Sequence, residues 1–288
     1  MQNNTVKLWS GLGVALVLGT TGAVVAADAA EAAPMHLETP AAPGTPVLLA
    51  AGGEGGEGGE GGEGGEAGHG HGGEAGAFAG MDEHAATVGQ LLLVRGHLNM
   101  GMTLYEAGKA DDALPHFLHP AEEIYEAIEP ELHEHQITTL GDKLKALSDA
   151  VKSKADTAKV AELRKGVAAD VAKAIEEVGG KGLSEKAFLY HVSLPVMQTV
   201  ADEYGAAFRD GRIANVVEYQ DSRGFVWALE DFLKARGLKD GDPLLSAVQT
   251  TKPAWPSVDA PEKPAMEPGA VLAEVSRIEL MRGDYEKK

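Results

Sequence analysis

From Leu91 to Tyr105 the chain reads LLLVRGHLNMGMTLY, and at ~100° per residue its apolar side chains cover more than half of a helix circumference. A helix with that pattern cannot rest on a surface and must be enclosed by other helices. Arg95, Asn99, Thr103 and Glu106 share the remaining polar side. His97 falls inside the apolar arc, so it is expected to be buried and to require a polar partner. Two readings are open for it: a core histidine bonded to a carbonyl or carboxylate, and a metal ligand.

The same three-four spacing continues through most of the later chain. Leu140, Leu144, Leu147 and Val151 define one helix, and Val160 through Val178 define another that Gly179-Gly180 should end. Ser184 can cap the next, with Phe188, Val192, Val196 and Val200 inward and a stop at Asp210-Gly211. Asn215 and Glu218 have the spacing of a capping box. Beyond them Phe225, Val226, Leu229, Phe232 and Leu233 form an apolar face that also carries Glu218 and Ser222. A last amphipathic helix is expected from about Pro268 to Met281, through Val271, Leu272, Val275, Ile278 and Leu280. Strand-like alternation is nearly absent. The fold class expected is all-α, an antiparallel helical bundle over residues 81–288.

The first part of the chain reads differently. Lys7 precedes an uncharged apolar run from Leu8 through Ala26, and VVAADAAEAA offers small-residue cleavage sites, so residues 1–26 are expected to be a secretory signal peptide. Residues 27–80 are first rich in proline and alanine, then carry five GGE triplets from Gly52 to Glu66. That composition predicts a disordered acidic linker. The chain has no cysteine, which excludes disulfides and thiolate metal sites. Its formal net charge of −19 disfavours nucleic-acid partners and favours cations. With no later apolar run of spanning length, no membrane insertion is expected after signal removal, and the expected compartment is periplasmic or secreted.

Candidate ligands concentrate between Gln90 and His135, which holds five of the ten histidines. Asp111 or Asp112 can cap a helix there, and Pro120 predicts a kink or a fresh start. If the axis stays continuous, His116, His119, Glu123 and Glu126 line one face at offsets suited to a shared cation, or form a solvated acidic face. His191 lies at the border of a later apolar face. His97 and Glu218 are predicted to point into one core from different helices, where two readings are open: they neutralise each other, or they share a cation with His116, His119 or His191. The proposed metal set is therefore His97, His116, His119, Glu123, His191 and Glu218. Met100 and Met102 beside His97 suit either copper(I) or plain packing.

Two resemblances add to this. Gly101, Leu104, Gly108, Ala113 and Phe117 sit at the relative spacings of a tetratricopeptide repeat, which implies a helical hairpin turning near Gly108. One copy cannot bury its own face. The segment from Asp202 to Phe225, with Glu203-Tyr204, Asp210-Gly211 and Glu218-Tyr219, resembles the periplasmic soluble module of bacterial high-affinity iron permeases. That resemblance implies handling of iron or another divalent metal outside the cytoplasm, with a metal-transport protein as partner. The permease's membrane helices are not seen in this sequence.

No nucleophile elbow, zinc-protease motif or phosphate loop is present, so the expected function is non-enzymatic. The principal reading is a periplasmic protein that binds or delivers a divalent metal, iron or copper. The alternative is a helical protein–protein interaction module tethered by the flexible acidic linker.

Overall fold

The computed structural model describes Glu74 and residues 76–286, all within one compact unit, Glu66–Lys288. The expected signal peptide and most of the expected linker lie outside the described residues.

The enclosed helix predicted from Leu91–Tyr105 is the middle of α1, Glu83–Glu106. Asp82 caps it by accepting from the Ala85 N–H at 3.0 Å, worth about 1 kcal/mol. Helices α2 (Ala110–His119), α5 (Thr157–Gly179), α6 (Lys186–Ala207) and α7 (Val216–Ala235) pack around it. Leu91, Leu92, Leu93, Val94, Leu98 and Leu104 are all shut off from solvent. The remaining helices are α3 (Tyr125–Glu134), α4 (Leu140–Lys152), α8 (Pro243–Thr251), α9 (Pro268–Leu280) and the short α10 (Arg282–Tyr285). The all-α bundle is as the spacing predicted. Among the described residues the only strands are Phe208–Arg209 and Arg212–Ile213, a two-residue antiparallel ribbon. Its turn, Asp210-Gly211, has positive φ at both residues. The predicted stop is thus a hairpin, and α6 ends three residues earlier than Asp210.

Helices α1 and α2 form the hairpin that the tetratricopeptide spacing implied. Gly108, at φ 78°, closes the C-terminus of α1, where the Lys109 N–H donates to the Leu104 carbonyl at 3.0 Å. A Cβ on Gly101 would lie 2.7 Å from the Phe117 ring, so the missing side chain is what admits that ring between the helices.

Local details differ from the sequence expectations in physically informative ways. Asp111 and Asp112 stand in the first turn of α2, while Lys109 occupies the cap. Ser184 does not cap α6; its hydroxyl donates back to the Lys181 carbonyl, and Glu185 is the boundary residue. Pro120 marks the break between α2 and α3. It opens a single π turn, Pro120–Ile124, in which the Tyr125 N–H donates to the Pro120 carbonyl. Proline has no N–H for the carbonyl four residues back and its ring crowds that carbonyl, so the ladder widens by one residue. Pro130 is absorbed within α3 without a break. Leu272 and Leu280, expected inward on the last helix, are exposed.

Described residues from the range 27–80 also contribute to this body. Phe78, in the 3-10 turn Gly76–Phe78, is buried and packs onto α1 where Gly89 leaves room for its ring. That anchor carries Glu74 onto the bundle. Among the described residues no helix is long and apolar enough to cross a membrane.

Candidate metal centre

The interior between α1, the α2–π turn segment and α7 is polar where a helical bundle is ordinarily greasy. His97 of α1 and Asp221 of α7 are both fully buried. His97 Nε2 sits 2.8 Å from Glu74 Oε2, and His97 Nδ1 lies 2.7 Å from Asp221 Oδ1. The second contact is close enough for charge attraction, but the ring nitrogen is not aligned on that oxygen as a hydrogen bond and has no other partner. His119, at the end of α2, places Nδ1 3.3 Å from Asp221 Oδ2 and crosses the His97 ring at 90°, with centroids 5.3 Å apart. Phe225, one turn beyond Asp221, closes the other side of His97, with centroids 4.9 Å apart.

Three buried polar atoms here have no hydrogen-bond partner: His97 Nδ1, His119 Nδ1 and Asp221 Oδ2. They are three of the seven such side-chain atoms among the described residues, and they fall in one place. Leaving a buried donor or acceptor unmade costs about 1–3 kcal/mol, so three together demand an account. One atom each from Glu74, His97, His119 and Asp221 can be chosen so that all lie within 4.8 Å of one another. Two imidazole nitrogens and two carboxylate oxygens at that spacing are a donor set for a divalent transition metal. The residues therefore fit a cation.

The electrostatics agree with the geometry. Burial acts to lower the His97 pKa, yet Asp221 and Glu74 override it and hold the ring well above its ordinary range. Burial acts to raise Asp221, and His97 and His116 instead pull it well below the ordinary carboxylate range. His119 is likewise raised, with Asp221 outweighing burial. More carboxyl groups crowd close by. Glu203 of α6 shares a hydrogen bond with Glu218 of α7; burial and that neighbour push Glu203 up to about 11. Glu123 is raised by burial against the pull of His119. At neutral pH protons occupy positions that a cation's charge would otherwise neutralise.

The six residues singled out from sequence are distributed unequally. His97 and His119 are in the donor set. His116 is beside it, fully buried, with Nδ1 2.6 Å from Asp221 Oδ1 and Nε2 3.0 Å from Gln220 Oε1. The Gln220 amide donates to the Val258 carbonyl at 3.2 Å, so its oxygen accepts and His116 Nε2 is the donor. With both nitrogens engaged, His116 positions Asp221 rather than offering a ligand. Glu123 approaches His119 Nε2 at 3.9 Å from a more exposed position. Glu218 accepts from the Asn215 side chain at 3.1 Å and pairs with Glu203. His191 is not brought to the cluster; it lies on α6 against Tyr190 and 3.5 Å from Glu286. The face carrying His116 and His119 turns inward, because α7 covers it, while Glu126 stays exposed. The Met100 sulfur faces the Arg223 guanidinium at 3.6 Å, and Met102 packs in the core.

Two members of the donor set escape a reading of the sequence. Asp221 stands three residues after Glu218 and four before Phe225, on the face already marked as inward, and that spacing is its one signal. Glu74 lies in a glycine-rich stretch and carries none.

The acid–tyrosine pairs also acquire a structural meaning. Glu203 and Glu218 meet, and Tyr204 and Tyr219 are buried beside one another with ring centroids 6.4 Å apart. Their hydroxyls donate to the Met266 and Ser257 carbonyls at 2.8 and 2.9 Å. Each tyrosine therefore pins the segment between α8 and α9, and the two preceding carboxyls pair with each other.

Residues 180–281 match the family model of the iron permease-associated 4-helix bundle domain. This agrees with the resemblance read from Asp202–Phe225, which lies inside the matched range. The match covers α6 through α9 and so includes Glu203, Glu218 and Asp221, while Glu74, His97 and His119 come from the segment before it. Searches of curated proteins and of solved structures match nothing.

Proposed function

We propose that this protein binds a divalent metal ion outside the cytoplasm and passes it to a metal-transport partner, with iron(II) as the principal cargo. The observation that carries this reading is the convergence of His97 Nδ1, His119 Nδ1 and Asp221 Oδ2, buried, without an aligned hydrogen bond and contributed by three separate parts of the fold. Glu74 would complete the set, His116 would hold Asp221 in place, and Glu218 and Glu123 would supply the surrounding negative potential that draws a cation in. The mixed imidazole and carboxylate donors suit iron(II), zinc(II) or copper(II). The match of residues 180–281 to an iron permease-associated domain favours iron among them. Copper(I) is less well served, since Met100 is turned to Arg223. The apolar run before Ala26 supports an extracytoplasmic placement, and the absence of hydrolase and phosphate-loop motifs supports a binding role over an enzymatic one.

The test is anaerobic titration of the full chain with iron(II), zinc(II), copper(II) and manganese(II), followed by thermal melting. Binding that is abolished in His97→Ala and Asp221→Asn supports the reading. Wild-type binding unchanged in both variants would exclude this site.

A further inference from the structure

A second group of ligands stands apart from the first. His84 in the first turn of α1, Glu131 near the end of α3 and His135 at the C-cap of α3 also offer one atom each within 4.8 Å of one another. His84 Nε2 lies 3.2 Å, and His135 Nε2 3.1 Å, from the same oxygen, Glu131 Oε1. The two rings meet edge to face, with centroids 6.0 Å apart. The Glu131 side chain is only 6% exposed, whereas His135 is 26% and His84 56% exposed. Among the described residues the ion pairs of Glu131 are with these two imidazoles alone, and no lysine or arginine is paired with it.

A shielded carboxylate needs positive charge or several donors beside it. Here both partners are metal-binding side chains presented through the same nitrogen. Glu131 and His135 share one helix face through their four-residue spacing, and His84 arrives from a different helix. The exposure gradient leaves the His84 side open to water, giving three protein donors and free positions, the arrangement of an accessible rather than a closed metal site. We infer that His84, Glu131 and His135 form a second, solvent-facing site for a divalent transition-metal ion, held by the two Nε2 atoms and a Glu131 oxygen. At ~1.5 Å per residue, His84 stands about 20 Å along α1 from His97, so the two sites share no ligand and can be tested independently.

The experiment is equilibrium dialysis of the full chain against zinc chloride, with bound zinc counted by elemental analysis and folding checked by circular dichroism. Wild type is compared with His84→Ala, His135→Ala, Glu131→Gln and His97→Ala. His84 is more than half exposed, so its replacement should leave the bundle folded. The expected result is that His84→Ala, His135→Ala and Glu131→Gln each lose the same one equivalent, while His97→Ala loses a different one. The inference is overturned if His84→Ala and His135→Ala bind zinc with wild-type stoichiometry and affinity. If the His84 variant loses zinc and the His97 variant does not, the second site stands and the first reading fails. If only the His97 variant loses zinc, the reverse holds.

Discussion

Gly96 of α1 and Gly224 of α7 meet backbone to backbone: a Cβ on Gly224 would lie 2.6 Å from the Gly96 carbonyl oxygen, and one on Gly96 would lie 2.8 Å from the Gly224 carbonyl carbon. The neighbouring residues are His97 on one helix and Phe225 on the other. Close approach at this crossing is therefore what lets His97 reach Asp221, one helical turn back from Gly224. Gly224→Ala forces the helices apart or the backbone aside, which in a packed core costs about 1–3 kcal/mol. Chemical denaturation should register that loss, and metal affinity should fall with it because the His97–Asp221 distance lengthens.

Asp221 is the hub of its cluster, touched by three imidazoles. Removing its charge takes from His97 one of its two carboxylate partners and from His116 the carboxylate at its Nδ1. Asp221→Asn should destabilise the metal-free protein by about 3–5 kcal/mol, the usual cost of breaking a buried pair from one side. His119→Ala should behave differently. That ring is partly exposed and reaches Asp221 by a 3.3 Å contact without hydrogen-bond alignment, so the metal-free fold should change by no more than about 1 kcal/mol. Metal binding should nevertheless weaken. A thermal melt of each variant with and without iron(II) separates the two effects.

Glu203 supplies a pH prediction of definite sign. Its folded pKa is raised to about 11 by burial and by Glu218, so the folded state retains a proton that the unfolded chain releases above its ordinary carboxylate range. Stability from this group is present below the unfolded value and declines as pH rises toward 11. Glu203→Gln keeps the shape of the protonated acid without needing the proton. It should stabilise the metal-free protein at neutral pH by roughly 1–3 kcal/mol and flatten the decline in Tm between acidic and alkaline buffers.

Glu230 predicts the opposite slope. It is buried on α7, and although burial alone would raise its pKa, Lys234, Lys252 and Gln249 lower it to about 2. Stability from a depressed carboxylate is complete above its unfolded pKa and is lost as pH falls toward the folded one. Glu230→Gln should cost on the order of 2 kcal/mol at pH 7. The penalty should shrink between pH 4.5 and about 2 in acid denaturation series.

The helical architecture is legible because buried faces impose a period, and periods survive in sequence. Val160 to Val178, with the Gly179-Gly180 stop, and the last helix from Pro268 need nothing but spacing. The burial of His97 comes from the same rule. Single hydrogen bonds and crossings are not legible. Ser184 has an equally good partner in the Lys181 carbonyl, and the approach of Gly96 to Gly224 depends on two residues distant in the chain. Of the donor set, His97 and His119 can be found from type and position. Asp221 is hidden when its helix face is read only for apolar residues. Glu74 is hidden by the assumption that glycine-rich sequence ends where helices begin.

That last residue changes how the centre would exchange its cargo. His97, His119 and Asp221 ride on helices held by the whole bundle, so their mutual distances are fixed by packing. Glu74 rides on a short arm whose Phe78 ring fills the notch left by Gly89 and whose Ala77 packs against the core. Withdrawing it would uncouple one carboxylate while the three helix-borne donors stayed in register. Under the proposed function the centre has a wall fixed by helix packing and a latch, Glu74, held by Phe78 and by its own bond to His97. A chain trimmed to begin at Met81, where the regular helices begin, would keep the wall and lose the latch.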